Sequence, residues 1–394
     1  MPLSGSTERP LIPLRCTTLF VKCSTALWCL HDCTVIPSFN FVYIYAYIYI
    51  KLVIMESNNI TIMHLADETL LQILSYDILH RQDQHHLALV SRRFSTLVAV
   101  ILYNTIEYLS YRSWRNPQIA LLSRTCHEHP ERAALVRHLS LSWIHDDEEG
   151  RFQIMDLLTQ VPMLRSLVLI VQGDQELEDS PDPPSKDCPN PTHFFDRCPM
   201  IFLRSLKVHC PRTTSNEVIK YTHLQSLESL EIKYFDILQP FESSSNITES
   251  GDTISVLKHL KFTYSIMPTR PVVEVLVGHL NSLQSLDWEI YNVIDVIEWD
   301  SALSSHLLSL SKTLVKLRLV QHAFYQGFAN DSEIDFTAYT ALKDLSIDSC
   351  FVFSSKPARD IRQGGGKPLH YRLPSLLETL EVSYIRLQHM KSGK

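Results

Sequence analysis

The chain carries none of the short constellations that announce catalysis. It has no GxSxG elbow, no HExxH pair and no Walker loop, and Gly364 to Lys367 lack the spacing that cradles a phosphate. Zinc spacing is missing too: Cys126, His127 and His129 lie close together without a second ligand pair, so neither metal nor cofactor is expected. The nine cysteines are scattered, which excludes a disulfide framework and suits a reducing compartment, cytoplasmic or nuclear. Positive charge is not in excess. Lys and Arg total 36 against 43 Asp and Glu, a net of -7, which favours neither nucleic acid nor an anionic membrane. Long apolar runs are absent as well. The longest uncharged one, Phe41 to Ile50, falls short of the roughly 20 residues a spanning helix needs, so no membrane partner is expected.

What is present begins unevenly. Residues 1–54 hold Cys16, Cys23, Cys29 and Cys33 and only Asp32 as a charge between Lys22 and Lys51. Their run FVYIYAYIYI alternates Tyr and Ile, which is what a TA repeat in DNA encodes, TAT reading Tyr and ATA reading Ile. The expectation is a spurious or unstructured extension, with Met55 as the working start. Removing it takes away four basic and two acidic residues and leaves 32 against 41, a net of -9.

The stretch from Leu65 to Tyr103 reads as three short helices. Asp67 is placed to cap the first, with Glu68 in its first turn and Leu70, Ile73, Leu74 and Ile78 on one apolar stripe. Asp83 is placed to cap a second, whose face carries Leu87, Val90, Phe94 and Leu97, with Ser91, Arg92 and Arg93 beside it; Leu97 to Leu102 form a third run. So few residues bury little surface alone, which points to a docking module.

These residues resemble an F-box. The matches are Leu65, Glu68, Leu70, Ile73, Leu74, Ser75 and Tyr76, then Leu87, Val90, Ser91, Arg92, Arg93 and Phe94, followed by LVAVILYNTI, a tail similar to that of fungal F-box proteins. The family's proline is Ala66 here, and Gln84 and His85 stand where it has an apolar pair. The resemblance implies docking on a Skp-type adaptor, and through it a cullin, by Leu65, Glu68, Leu70, Ile73, Leu74, Leu87, Val90 and Phe94.

Residues 109–135 read as a helical linker, and then a hexamer, Leu-x-x-Leu-x-apolar, recurs nine times. It starts at Val136, Leu164, Leu203, Leu227, Leu257, Leu283, Leu314, Leu342 and Leu377, at separations of 28, 39, 24, 30, 26, 31, 28 and 35 residues. One strand-like hexamer in about 30 residues, with helical patterns between, is the mark of a solenoid. Acidic, Pro-rich residues 173–200 read as a disordered insertion, and 240–253 and 354–368 as loops.

The hexamers resemble irregular leucine-rich repeats. The Asn or Cys expected three residues beyond each is Ile144, Gln172, Pro211, Phe235, Ser265, Tyr291, His322 and Ile385, and Cys350 alone conforms. The fold implied is α/β: a small three-helix F-box at 63–108, then a solenoid over 136–394 with parallel strands on the concave face and helices outside. Because strand side chains alternate, the fourth and sixth residues of each hexamer point inward. The fifth and seventh line the open face: Ser140 and Ser142, Val168 and Ile170, Lys207 and His209, Glu231 and Lys233, Lys261 and Thr263, Asp287 and Glu289, Arg318 and Val320, Ser346 and Asp348, Glu381 and Ser383. Of these, Lys207, His209, Glu231, Lys233, Asp287, Glu289 and Arg318 are the candidate contacts for a protein target, on a row that turns from basic to acidic.

The resemblance implies a substrate-recognition subunit of an SCF-type ubiquitin ligase, with no catalytic residue of its own. The alternative is a non-catalytic leucine-rich-repeat scaffold, membrane-associated through residues 39–55.

Overall fold

The computed structural model describes residues 65–75, 81–107, 117–144, 148–172, 195, 198, 200–213, 215–235, 255–266, 280–292, 307–321, 335–348, 351 and 369–383. The expectations for residues 1–54, Tyr76, most of the insertion at 173–200, and the loops at 240–253 and 354–368 fall outside them. The chain divides into two compact units, Met1–Leu70 and Leu71–Lys394. In the first, the described residues are Leu65, Ala66 and the start of helix α1 (Asp67–Leu74), where Leu70 is buried.

In the second unit α1 ends at Leu74, and α2 (Arg81–Val90) and α3 (Arg92–Asn104) follow. Two expected caps are displaced. Asp67 is the first residue of α1 and Asp83 lies within the first turn of α2, where a carboxylate still favours the helix dipole. The apolar face drawn continuously through Leu87, Val90, Phe94 and Leu97 is cut at Ser91, which has extended backbone and accepts a 3.2 Å hydrogen bond from the Phe94 N–H. That bond satisfies one of the amides a helix start leaves open. The third apolar run is thus the continuation of α3, which buries Phe94, Leu97 and Val98.

The fold is α/β with a ten-stranded sheet whose strands pair in sequence order, every one parallel to its neighbours. The strands are β1 (Thr105–Glu107), β2 (His138–Ile144), β3 (Ser166–Gln172), β4 (Ser205–Thr213), β5 (Ser229–Phe235), β6 (His259–Ile266), β7 (Ser285–Asn292), β8 (Lys316–Gln321), β9 (Asp344–Asp348) and β10 (Thr379–Ser383). Strands β2 to β10 are the nine hexamers. The sheet starts earlier than the first hexamer, at Thr105, because β1 is only three residues long and carries no leucine pattern.

Alternation decides which residues form the core. The fourth and sixth hexamer positions are buried throughout β2 to β9, from Leu139 and Leu141 to Leu345 and Ile347. In β10, Leu380 is 42% exposed, since an edge strand has a neighbour on one side only. The first position is buried from Val136 to Leu342, and each such leucine or valine removed from water contributes about 1.5–3 kcal/mol.

The strand starts are joined by a backbone ladder. The second residue of each hexamer, from Arg137 to Lys343, offers its carbonyl to two consecutive N–H groups of the next repeat, at 2.7–3.1 Å. Arg137 O, for example, accepts from Arg165 and Ser166 N–H, and Lys343 O from Glu378 and Thr379 N–H. Buried amides must find acceptors, and here the main chain supplies them without any particular side chain.

Helices pack on the inward side. Helices α4 (Pro117–Glu128) and α5 (Pro130–Ala133) occupy the expected linker, α6 (Glu148–Gln160) connects β2 to β3, and α7 (Ser215–Thr222) connects β4 to β5. Ile119, Ile154, Leu157, Val218 and Ile219 join the same core as the sheet residues. The end of the 173–200 insertion belongs to that core too. Cys198 is buried, and Phe195 meets the ring of Tyr221 edge-on at 5.4 Å.

Candidate functional site

The sheet's open face is built from the positions that alternation turns away from the core. In-register pairing makes the fifth positions one continuous row, which reads Lys207, Glu231, Lys261, Asp287, Arg318 from β4 to β8. The change of sign expected along this row is a strand-by-strand alternation. Opposite charges directly across adjacent strands attract. Lys207 Nζ lies 2.8 Å from Glu231 Oε2, and Lys261 Nζ lies 3.8 Å from Glu231 Oε1. Arg318 Nη1 donates to Asp287 Oδ1 at 2.8 Å and also to Glu289 Oε1. At the far end the Ser346 hydroxyl donates to Glu381 at 2.9 Å.

The charges tune one another. Burial pushes the Glu231 carboxyl up, but the Lys207 hydrogen bond and charge, with Lys261 and His209, outweigh it and hold its pKa below the ordinary range. Burial lowers the Arg318 guanidinium, and its bonds to Glu289 and Asp287 more than reverse that, so it is raised. The imidazole of His209 is lowered, first by burial and then by Lys233 and Lys207 against the opposing Glu231.

The seventh positions behave differently. His209, Lys233 and Thr263 pair across β4 to β6 and stay partly open. Ser142 and Asp348, expected to line the open face, are buried. Asp348 is the last residue of β9, and Ser142 lies two residues before the end of β2. Thr263 Oγ1 is buried and makes no hydrogen bond.

In the helical module the expected contact residues divide into two sets. Leu70, Leu74 and Phe94 are buried, Leu65, Ile73 and Leu87 are half-buried, and Glu68 and Val90 are exposed. The most exposed large apolar side chain is one that helical periodicity passed over: Leu89 is 84% exposed, beside Val90 at 68%. Recognising Ser91 as a cap, and so ending α2 at Val90, would have singled it out. Gln84, which occupies an expected apolar position, is buried, and its Nε2 donates to Leu74 O at 3.3 Å. It thereby satisfies a carbonyl at the end of α1. His85 is exposed.

The Cys126, His127 and His129 trio does not converge. Cys126 is buried, which pushes its thiol up, whereas His127 is exposed and His129 Nδ1 faces Glu131 at 3.3 Å. Among the described residues no group of three or more His, Cys, Asp and Glu could hold a metal ion. Among them, too, no helix is long and apolar enough to cross a membrane. No protein-family model matches the chain, and no curated protein matches it.

Proposed function

We propose that the chain is a substrate-recognition subunit of an SCF-type cullin–RING ubiquitin ligase. In this reading residues 63–108 are an F-box docking on a Skp-type adaptor, and the ten-stranded sheet is an irregular leucine-rich-repeat solenoid that holds a target protein. The observation that carries the reading is the break within Val-Ser-Arg-Arg-Phe at 90–94. Ser91 caps α3, Phe94 turns into the interior, and Leu89 and Val90 are left in solvent at the end of α2. Exposed aliphatic neighbours on a short helix suit a partner helix better than water. Leu70, Leu74 and Phe94 are each buried, which leaves Leu89 and Val90 as the apolar side chains offered to the adaptor.

The chemistry of such a subunit is proximity. A target tethered by the sheet meets the charged conjugating enzyme at high effective concentration, so this chain needs no nucleophile. The test is co-purification of the chain with a Skp-type adaptor, beside Leu89→Asp/Val90→Asp. Both side chains are exposed, so the variant keeps its fold while placing charge in the interface, where desolvation is costly. Binding by the parent and its loss in the folded variant is the expected result. A folded parent that does not bind sinks the adaptor reading and leaves a repeat scaffold.

A further inference from the structure

The second hexamer position lies at the rim where the strands begin, and its residue type varies. From β5 to β10 it is Glu228, Lys258, Gln284, Val315, Lys343 and Glu378, but on β2, β3 and β4 it is arginine each time: Arg137, Arg165 and Arg204. Arg137 O accepts from Arg165 N–H and Arg165 O from Arg204 N–H, so the three stand side by side on neighbouring strands. Their charges are poorly balanced. Arg137 Nη1 donates to Ala134 O at 2.6 Å, Val136 O at 3.3 Å and Met163 O at 3.4 Å, carbonyls that carry no net charge. Arg165 is exposed, and among the described residues its guanidinium has no partner. Exposed Arg204 reaches Glu228 only at 4.0 Å, while Lys258 holds that carboxylate at 3.2 Å. On the β1 side the row passes to uncharged Asn104, whose carbonyl accepts from Arg137 N–H. The second positions from β2 to β6 thus carry four cations against one carboxylate, in a chain whose total is -7. Apolar surface adjoins them. Ile201 and Phe202, just ahead of the β4 hexamer, are exposed, and Met163, just ahead of the β3 hexamer, is half-buried.

We propose that the rim at the starts of β2 to β4 binds a short acidic segment of a partner protein that carries apolar residues beside its carboxylates. Neighbouring strands stand about 4.8 Å apart, so the arginine row spans about 10 Å. Same-side residues of an extended segment repeat at about 6.7 Å, so two carboxylates fit along the row. A guanidinium meets a carboxylate through two parallel hydrogen bonds, and Arg165 has its donors free to do so. Ile201 and Phe202 give the segment's apolar residues a place to leave water. Arg, Met and aromatic side chains are the types enriched at protein interfaces, and Arg165, Met163 and Phe202 bring them together here. A long polyanion such as RNA meets the repulsion of the chain's net charge of -7, which a short segment largely avoids. For calling this partner a ligase target the inference rests on the proposed function; the binding itself does not need the adaptor.

The test uses the full chain alone and fluorescence anisotropy with three labelled probes. These are a Glu-Ala-Glu-Leu-Leu peptide with neutral flanks, the same peptide with Gln for Glu, and a single-stranded oligoadenylate RNA. The acidic peptide should bind at least about tenfold tighter than the amide form, with affinity falling as salt rises. Arg165→Gln/Arg204→Gln should weaken it at least about tenfold, and Phe202→Ser severalfold. All three side chains are exposed, and far-UV circular dichroism checks that each variant is folded. Lys343→Gln removes a cation at the same position of β9 and should leave the affinity within about twofold of the parent. Equal binding of the acidic and amide peptides, or no change in either rim variant, overturns the proposal. So does a loss in Lys343→Gln as large as that in the arginine variant, or RNA binding tighter than the peptide. Because no adaptor is present, failure here leaves the docking reading untouched, and failure of docking leaves this one untouched.

Discussion

Replacing Arg318 with Met tests whether the charge ladder is structural as well as receptive. The guanidinium is 30% exposed, its partners Asp287 and Glu289 are 22% and 14% exposed, and it hydrogen-bonds to both. An exposed pair contributes about 0–1 kcal/mol, whereas breaking a buried one costs about 3–5 kcal/mol. This site lies between those limits. Losing Arg318 also leaves two carboxylates two residues apart on one strand face, about 7 Å at ordinary strand rise. At an effective dielectric of about 20 their repulsion is about 2 kcal/mol before salt screening. The Met stem keeps most of the packing, so the expected loss is about 2 kcal/mol. Urea unfolding at pH 7, followed by far-UV circular dichroism, measures it. Adding Asp287→Asn and Glu289→Gln removes the stranded charges and should recover at least half the loss. The reasoning fails if Arg318→Met stays within about 0.5 kcal/mol of the parent, or if the triple variant is no more stable than the single.

Other outcomes follow from the same physics. Ser265→Ala leaves the buried Trp288 indole N–H without the acceptor it meets at 2.8 Å, and urea unfolding should show a loss of about 1–3 kcal/mol. Ser91→Ala removes the α3 cap and should cost about 1 kcal/mol, visible as a lower urea midpoint with unchanged slope. Because the folded Glu231 pKa is depressed, its stabilisation is present above the ordinary Glu range and lost as pH falls through the folded value. Glu231→Gln should therefore flatten the fall of the stability curve below about pH 4. His209 is lowered in the fold, so the unfolded chain takes up its proton first. Stability should dip as pH falls below about 6.5, and His209→Phe should remove that dip.

The strands were legible because a period of two survives an irregular sequence. Each hexamer needs only its first, fourth and sixth residues to be apolar, and from β2 to β9 those residues are buried. Strand β1 was not legible, since three residues cannot display a period. The helical module was legible as helices but not in its phase. Val90 and Phe94 share a helical period in sequence, and only the Ser91 cap separates them onto different helices. The charged character of the open face was legible, but the alternation of its signs was not. Lys207, Glu231, Lys261, Asp287 and Arg318 lie 24 to 31 residues apart, and their alternation appears only when the hexamers are stacked by their fifth positions.

The missing Asn or Cys after most hexamers shows how such a sheet tolerates irregular repeats. At the strand starts nothing is lost, because the doubled carbonyl bonds are made by the main chain alone. At the strand ends the requirement returns, and two repeats meet it by bending. The position three beyond the β4 hexamer is Pro211, which has no N–H, but a register shift carries buried Thr213 opposite Phe235, where its hydroxyl donates to Cys210 O at 3.1 Å. In β6 a bulge between Phe262 and Ser265 turns Ser265 inward, where it accepts from Trp288 and donates to Glu289 O at 2.9 Å. That second bond fixes the backbone of a residue whose carboxylate is held by Arg318. The bulge thus couples a core hydroxyl to the charge pattern of the open face. Ser265→Ala should then loosen Glu289 as well as Trp288, and its cost should be partly shared with that of Arg318→Met. A double-mutant cycle on Ser265 and Arg318 reads this coupling, and strict additivity within about 0.3 kcal/mol would show the two layers to be independent.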